Sequence, residues 1–180
     1  MELADRTVFI EAFPARPRLV VVGATEIARS LVGLARALGY ERIVIDARAA
    51  FATAERFPDV ERLIVDWPED AFAAIDLGPN DAVAILSHDP KFDEPAILEA
   101  FRRGARYVGA VGSRKTQADR RSRLADVGLS EEQLAGLHGP IGLDLGGREP
   151  SETALAILAE IVAARRGGSG VPMHARARGT

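Results

Sequence analysis

The feature that most constrains the fold is a repeated alternation between short runs of valine, isoleucine and leucine and segments with helical periodicity. The apolar runs predict strands at Arg18–Val22, Ile43–Ile45, Leu63–Val65, Ala82–Leu86 and Tyr107–Val111. Strands this apolar are typical of a sheet covered on both faces, and helices between them make right-handed βαβ units. The sequence therefore predicts an α/β fold, a doubly wound and mainly parallel Rossmann-like sheet with helices on both faces.

Capping signals predict where several helices begin. Asp93 is predicted to cap the helix after the fourth strand, and Ser113 the basic helix after the fifth. Ser130 and Gln133 form the pattern of a capping box, which predicts a short helix there. Pro150 is predicted to begin the last helix, because proline suits the first helical position.

The 180 residues suit one domain followed by a tail. We expect a single domain over residues 1–166, in which residues 1–17 are a lead-in with a possible edge strand through Val8 and Ile10. Residues 167–180 are rich in glycine and carry no acidic residue, which predicts a flexible basic tail.

Composition excludes several classes of function. The chain has no cysteine, so it offers no disulfide, no cysteine-ligated metal and no cysteine nucleophile. Its net charge of −3 argues against general nucleic-acid binding. No apolar run approaches a membrane span of about 20 residues, and the start does not resemble a signal peptide. We therefore expect a soluble cytoplasmic protein without a membrane or nucleic-acid partner.

In sheets of this class, ligands bind beyond the carboxyl ends of the strands. The candidate binding residues are those that follow the predicted strands and the glycine-rich segment near the end: Gly23, Asp46, His88, Asp89, Gly112, Ser113, Arg114 and Asp144. No catalytic residue can be assigned from them. No metal site is predicted, because His88 would need further ligands converging on it.

The first of these loops, Gly23 to Ala28, has the position and length of a dinucleotide-binding loop. Thr25 stands where that pattern has its second glycine, and its branched side chain obstructs a pyrophosphate. A carboxylate such as Glu26 costs about 4 kcal/mol at ~4 Å from a phosphate, for an effective dielectric near 20. The loop is thus either an altered dinucleotide site or a purely structural turn.

Asp46 lies at the distance from Gly23 where an acid commonly bonds a ribose hydroxyl. Asp46 could equally well be the N-cap of a following helix. Arg48, two residues further on, could bind a phosphate in place of the ribose contact. His88 could be a general base, a hydrogen-bond donor to a substrate or a structural group.

Ser113, Arg114 and Lys115 begin the basic helix. They could form an anion site with the N–H groups of the helix start. The alternative is a helix cap followed by solvated cations.

Four strings carry a resemblance to a known family: Leu86–Asp93 (LSHDPKFD), Tyr107–Arg114 (YVGAVGSR), Gly139–Asp144 (GPIGLD) and Glu149–Val162. On these strings the chain resembles, from about Val8 to Arg166, the C-terminal Rossmann domain of the XdhC/CoxI family. That family comprises accessory proteins for molybdenum hydroxylases of the xanthine dehydrogenase and carbon monoxide dehydrogenase type.

The resemblance implies a chaperone that handles a cofactor rather than a turnover enzyme. Such a protein would bind the molybdenum cofactor in its pterin or dinucleotide form and assist its sulfuration with a separate cysteine desulfurase. It would then pass the cofactor to the hydroxylase apoenzyme. It also implies a candidate binding site at six of the residues given above: Asp46, His88, Asp89, Ser113, Arg114 and Asp144. We expect a homodimer.

Two departures from the family pattern leave alternatives open. The family's N-terminal domain, with its cysteine motif, is not in this chain, so any sulfur relay or cofactor grip that needs that domain would either come from a separate protein or be absent. The family's first loop commonly reads Gly-Ala-Gly-His-Val-Ala, whereas here Thr25 and Glu26 replace the second glycine and the histidine. The alternatives are an NAD(P)-dependent oxidoreductase and a ligand-free structural or oligomerising partner of a separate N-terminal-domain protein.

Overall fold

The sheet at the centre of the molecule has six strands, all parallel. The computed structural model describes residues 2–3, 6–7, 11 and 15–175. The sheet strands are β3 (Arg18–Val22), β4 (Glu41–Ile45), β5 (Arg62–Ile64), β6 (Ala82–Ile85), β7 (Tyr107–Ala110) and β8 (Leu137–His138). Their order is β5-β4-β3-β6-β7-β8. The chain thus builds the sheet outward in both directions from β3, as a doubly wound fold does.

Helices cover both faces of this sheet. They are α1 (Glu26–Ala37), α2 (Pro68–Ala73), α3 (Pro90–Arg102), α4 (Arg114–Asp126), α5 (Glu131–Ala135) and α6 (Pro150–Arg166). Helices α1 and α6 pack on one face, and α2, α3 and α4 pack on the other. Alternate residues of β3 enter the two cores, with Leu19 and Val21 on one side and Val20 and Val22 on the other. The predicted fold class is confirmed.

The capping predictions have mixed outcomes. Ser113 and Ser130 cap their helices as predicted, by accepting the N–H groups of Thr116 and Gln133. The prediction for Asp93 is wrong. Helix α3 begins four residues earlier than predicted, at Pro90 after the N-cap Asp89, and Asp93 is fully buried within it. Asp93 is free to pair elsewhere because Asp89 takes the cap.

Two elements go beyond the sequence predictions. Helix α2 has proline at its first position and acidic residues, Glu69 and Asp70, in its first turn. Strand β8 has only two residues, too few to show an alternation, and it pairs with β7 at the edge of the sheet.

The two ends of the chain add little to the sheet. Strands β1 (Glu2–Leu3) and β2 (Arg6–Thr7) pair with each other in an antiparallel arrangement, apart from the main sheet. Val8 and Ile10, on which the predicted edge strand depended, lie outside the described residues. Met173–Ala175 form a short 3₁₀ turn, and residues 176–180 lie outside the described part. The flexible tail stays a prediction.

An ion pair at the start of β4 gives the fold an acid dependence. Glu61 accepts three hydrogen bonds from Arg42, which is 5% exposed. Burial alone would raise the pKa of Glu61, but the bonds from Arg42 lower it from 4.5 to about 2. A carboxylate whose pKa is lower in the folded than in the unfolded chain stabilises the folded state only while it is ionised.

We therefore expect the contribution of Glu61 to be complete above pH 4.5 and to disappear as the pH falls toward 2. Urea unfolding at a series of pH values should show a shallower loss of stability in that window for Glu61→Gln than for the native protein. Equal slopes would contradict this assignment.

Candidate functional site

A cavity opens at the carboxyl end of the sheet, where the strand order reverses. The chain leaves β3 toward β4 and leaves β6 toward β7, so the loops after these neighbouring strands diverge and leave a crevice. The cavity has a volume of about 480 Å³, which is within the range of small-molecule sites. Its lining residues are Thr25, Asp46, Ala47, Arg48, Trp67, Ser87, His88, Asp89 and Phe92.

The structure brings three of the predicted site residues to the cavity wall and a fourth, Gly23, to its base, and it separates the other four. Asp46, His88 and Asp89 line the cavity. Gly23 lies against its base, where an added Cβ would be 2.8 Å from the backbone nitrogen of Ser87. Gly112, Ser113 and Arg114 follow β7, the strand next to β6, and do not line the cavity. Asp144 lies in a separate cleft of about 370 Å³, between the Ile141–Arg148 segment and α6.

Asp46 holds the first loop and Arg48 together. Its Oδ2 accepts the N–H of Ala24 at 2.8 Å and the Arg48 guanidinium at 2.7 Å, while its Oδ1 accepts Arg48 N and Nε. Burial alone would raise the pKa of Asp46, but these hydrogen bonds lower it. No helix follows Asp46 before β5, so the helix-capping alternative is wrong. Both carboxylate oxygens already accept hydrogen bonds, so a ribose hydroxyl would have to compete with Arg48 for Asp46.

The first loop uses its own N–H groups. Gly23 N donates to Ile45 O at 2.8 Å, Ala24 N to Asp46, and Thr25 N to Gly23 O at 2.9 Å. Thr25 Oγ1 accepts the N–H of Ala28 and so caps α1. A dinucleotide loop presents N–H groups to the pyrophosphate, whereas here the N–H groups of Gly23, Ala24 and Thr25 are donated within the protein.

Glu26 adds a carboxylate at the same helix start. It pairs with Arg56 at 2.7 Å and Arg29 at 2.8 Å. The hydrogen bond from Arg56 is the main reason that the pKa of Glu26 is lowered. The repulsion expected from Glu26 is therefore reduced by two cations, but a carboxylate remains at the helix start where a pyrophosphate would bind.

We expect neither NAD nor NADP to raise the melting temperature of the protein. A ligand present at a hundred times its dissociation constant stabilises by about 2.7 kcal/mol. In a chain of this size that would raise the melting temperature by roughly 5–10 °C. A thermal-shift titration with each nucleotide measures this directly, and a rise of that size would contradict the structural interpretation of the loop.

A buried polar network supports the cavity from below, and no local pattern in the chain indicates it. The Ser87 hydroxyl donates to Asp93, and Arg120 donates to the other oxygen of Asp93 at 2.8 Å. Arg120 also donates to Val111 O and to Gln117 Oε1. Asp93 and Arg120 are 0% and 3% exposed. The network thus ties the ends of β6 and β7 to α3 and α4.

An aromatic wall forms another part of the cavity, and it too goes beyond the sequence predictions. Trp67 precedes α2 and Phe92 lies in α3, with ring centroids 5.7 Å apart and planes inclined at 58°. Phe92 is buried, whereas Trp67 is 50% exposed. A signal for this wall exists, because Trp67 follows a predicted strand and precedes a proline.

The cavity lining carries one guanidinium, Arg48, and two carboxylates, Asp46 and Asp89. Arg48 lies with its guanidinium on Asp46 and 4.4 Å above the ring of Phe51. Asp89 caps α3 by accepting the N–H of Lys91, through one of its two oxygens. The exposed His88 makes no hydrogen bond among the contacts of the described residues. The cavity therefore offers both a cation and a carboxylate acceptor.

The cations predicted to form an anion site lie next to the cavity. Ser113 Oγ accepts the N–H of Thr116 at 3.1 Å and contacts its hydroxyl at 2.9 Å, while Arg114 and Lys115 are exposed. This is the geometry of the capping alternative. It leaves the two cations accessible at the end of the strand adjacent to β6.

Neither a metal cluster nor a membrane span is found in the described part of the chain. Among those residues, no three histidine, aspartate or glutamate side chains are grouped so that they could hold a metal ion. None of the described helices has the length and apolarity to cross a bilayer.

The parallel sheet and the cavity at its switch point define the chain as a Rossmann-type fold. Residues 19–161 match the XdhC Rossmann domain, and the chain belongs to this family. The resemblance found in the sequence is thereby confirmed.

Relatives in this family extend the comparison. The chain is 31% identical over 158 residues to a Bacillus subtilis protein named as a probable subunit of xanthine dehydrogenase, covering 88% of this chain and 46% of that protein. It is 28% identical over 148 residues to the molybdenum cofactor insertion chaperone PaoD of Escherichia coli, covering 82% and 40%.

A crystal structure described as a xanthine dehydrogenase from Bacillus halodurans superposes with a TM-score of 0.72 at 28% identity, covering 84% of this chain and 43% of that one. The chain thus spans less than half the length of these relatives.

Proposed function

We propose that this chain is an accessory module for molybdenum hydroxylases that holds the pterin part of the molybdenum cofactor in the cavity at the switch point. Its family, and its similarity to a protein named as a molybdenum cofactor insertion chaperone, support the class of function. The cavity of about 480 Å³ at the carboxyl end of β3 and β6 is the observation that carries the proposal.

The side chains that line the cavity fit a pterin. A pterin is a flat ring with an amino edge that donates hydrogen bonds, and Asp89 offers a carboxylate oxygen not used by its helix cap. Trp67 and Phe92 supply an apolar wall for the ring. Arg48, and Arg114 at the next strand, are the cations that would meet a phosphate arm. The bound cofactor would be cargo, and its metal would supply redox chemistry only in the client hydroxylase.

The alternatives have less support. The loop that would bind the pyrophosphate of NAD(P), or of a cofactor dinucleotide, donates the N–H groups of Gly23, Ala24 and Thr25 within the protein and carries the Glu26 carboxylate at the start of α1. This favours a pterin monophosphate over any dinucleotide. A ligand-free structural role has no need of a cavity whose wall includes a tryptophan that is half exposed.

The proposal includes partners. A chaperone of this class would deliver the cofactor to a molybdenum hydroxylase apoenzyme. Because the chain contains no cysteine, the sulfur for cofactor sulfuration would come from a separate cysteine desulfurase. A protein carrying the family's N-terminal domain would complete the assembly.

A reconstitution assay tests the function. The purified protein, loaded in a host that makes the cofactor, is mixed with a molybdenum hydroxylase apoenzyme, and the transferred cofactor and the enzyme activity are measured. We expect activation that depends on the protein. Absence of both association with the apoenzyme and cofactor transfer would contradict the proposal.

A further inference from the structure

Trp67 is exposed in an unusual setting. It is 50% exposed, although its neighbour Phe92 is 6% exposed and the two rings are in contact. It also lines the cavity at the switch point. Exposure alone is shared with other apolar side chains of the surface, but an aromatic side chain on the wall of a concave site is typical of small-molecule recognition.

The backbone around Trp67 is firmly placed. Asp66 accepts the N–H of Trp67 at 2.8 Å, and Trp67 O accepts the N–H of Ala71 at 2.9 Å. Pro68 follows at the first position of α2 and restricts the chain further. Phe92 supports the indole from the side of α3. The indole is thus presented from a rigid base, which lowers the entropic cost of binding against it.

Trp67 also occupies a helix N-cap position, where polar side chains are preferred. It is the N-cap of α2 and makes no side-chain capping bond. Serine, threonine, aspartate and asparagine are strongly preferred there because their side chains satisfy a free N–H group. Helix α2 therefore lacks a side-chain capping hydrogen bond, and the N-cap position carries an indole that lines the cavity.

We infer that Trp67 is the stacking residue of the site, which selects ligands with a planar heteroaromatic ring. The inference rests on the proposed function, since the ring would be the pterin of the cofactor. Indole and a nitrogen-rich ring favour an offset stack, and Asp89 at the same cavity would accept from the ring's amino edge. An anion without a ring, such as inorganic phosphate, would gain nothing from Trp67.

Equilibrium dialysis with pterin-6-carboxylate, a flat pterin with an anionic arm, tests this inference. Stacking on an aromatic side chain is lost on alanine substitution, which should raise the dissociation constant about 5- to 150-fold in Trp67→Ala. Trp67→Phe keeps a ring and should retain most of the affinity. Val65→Ala is the matched control, since Val65 is 47% exposed in the same segment and does not line the cavity.

Fluorescence provides a second measurement that does not need a variant. Trp67 is the single tryptophan of the chain, so the protein's indole emission reports on this residue alone. We expect the probe to quench that emission along the same binding curve that dialysis gives, after correction with free tryptophan. Inorganic phosphate should leave the emission unchanged.

The outcomes separate the two claims. If the native protein binds the probe but Trp67→Ala binds it equally well, or the emission stays constant through the titration, the stacking role is overturned and the proposed function stands. If the native protein does not bind the probe, the proposed pterin ligand is contradicted together with this inference. Should Trp67→Ala fail to fold, the emission of the native protein decides.

Discussion

Arg120→Ala is expected to lower the free energy of unfolding by about 3–5 kcal/mol. Arg120 and Asp93 form an ion pair at 2.8 Å between side chains that are 4% and 0% exposed. Burial is the main influence on the pKa of Asp93 and raises it, which indicates how unfavourable the carboxylate would be without Arg120. The substitution also removes the donor to Val111 O at the end of β7.

In a chain of this length that loss should lower the melting temperature by roughly 6–20 °C. Arg102→Ala is the matched control, because Arg102 forms an ion pair with Glu99 but is 68% exposed. Exposed pairs contribute about 0–1 kcal/mol. Asp93→Asn added to Arg120→Ala should recover part of the loss. Urea unfolding measures all three variants, and an Arg120→Ala protein within about 1 kcal/mol of the native one would contradict the role of the pair.

Gly23→Ala is expected to cost about 2–4 kcal/mol, since it combines backbone strain with overpacking. Gly23 has a φ of +104°, a conformation that favours glycine. An added Cβ would lie 2.8 Å from the backbone nitrogen of Ser87. The first loop and the end of β6 would have to move apart, so we also expect weaker binding at the cavity between them.

Gly33→Ala is the control for this change. Gly33 lies within α1, and no atom would come within 4 Å of an added Cβ. Alanine there should stabilise the protein by about 0.5–1 kcal/mol, because glycine is unfavourable inside a helix. Chemical denaturation compares the two variants. If Gly23→Ala were as stable as the native protein, the close approach of the two loops would be disproved.

The parts of the fold that depend on local pattern could be predicted from the sequence. The strands β3, β4, β6 and β7 are continuous apolar runs, and a run buried on both faces is visible without knowing its neighbours. The caps Ser113 and Ser130 act within three residues of themselves. Strand β8 could not be predicted, because a two-residue strand is defined by its partner alone.

The site depends on contacts between distant residues. Arg120 pairs with Asp93 across 27 positions, and nothing near either residue indicates the partner. The capping prediction for Asp93 fails for a related reason: two aspartates four residues apart both suit the cap, and Asp89 takes it. The pairing of Asp46 with Arg48 is local, but its consequence for the first loop depends on the Ala24 N–H, 22 positions away.

The strand ends nevertheless locate the cavity. Asp46, His88 and Asp89 are predicted from strand ends alone, and the sheet places all three on one cavity because parallel strands end at the same edge. Asp144 is predicted mainly from a glycine-rich string and lies in another cleft. Trp67 also follows a strand, and that position is the signal for it in the sequence, but an indole lacks the charge or titratable group by which Asp46, His88 and Asp89 are recognised as candidates.

The central claim is that the cavity at the switch point holds an anionic pterin. Mass spectrometry of the small molecules that the native protein retains on purification, released by denaturation, tests it most directly. We expect a pterin phosphate or one of its oxidation products, greatly reduced in Trp67→Ala. A nicotinamide nucleotide in its place, or a protein from a cofactor-producing host that carries no pterin, would contradict the claim.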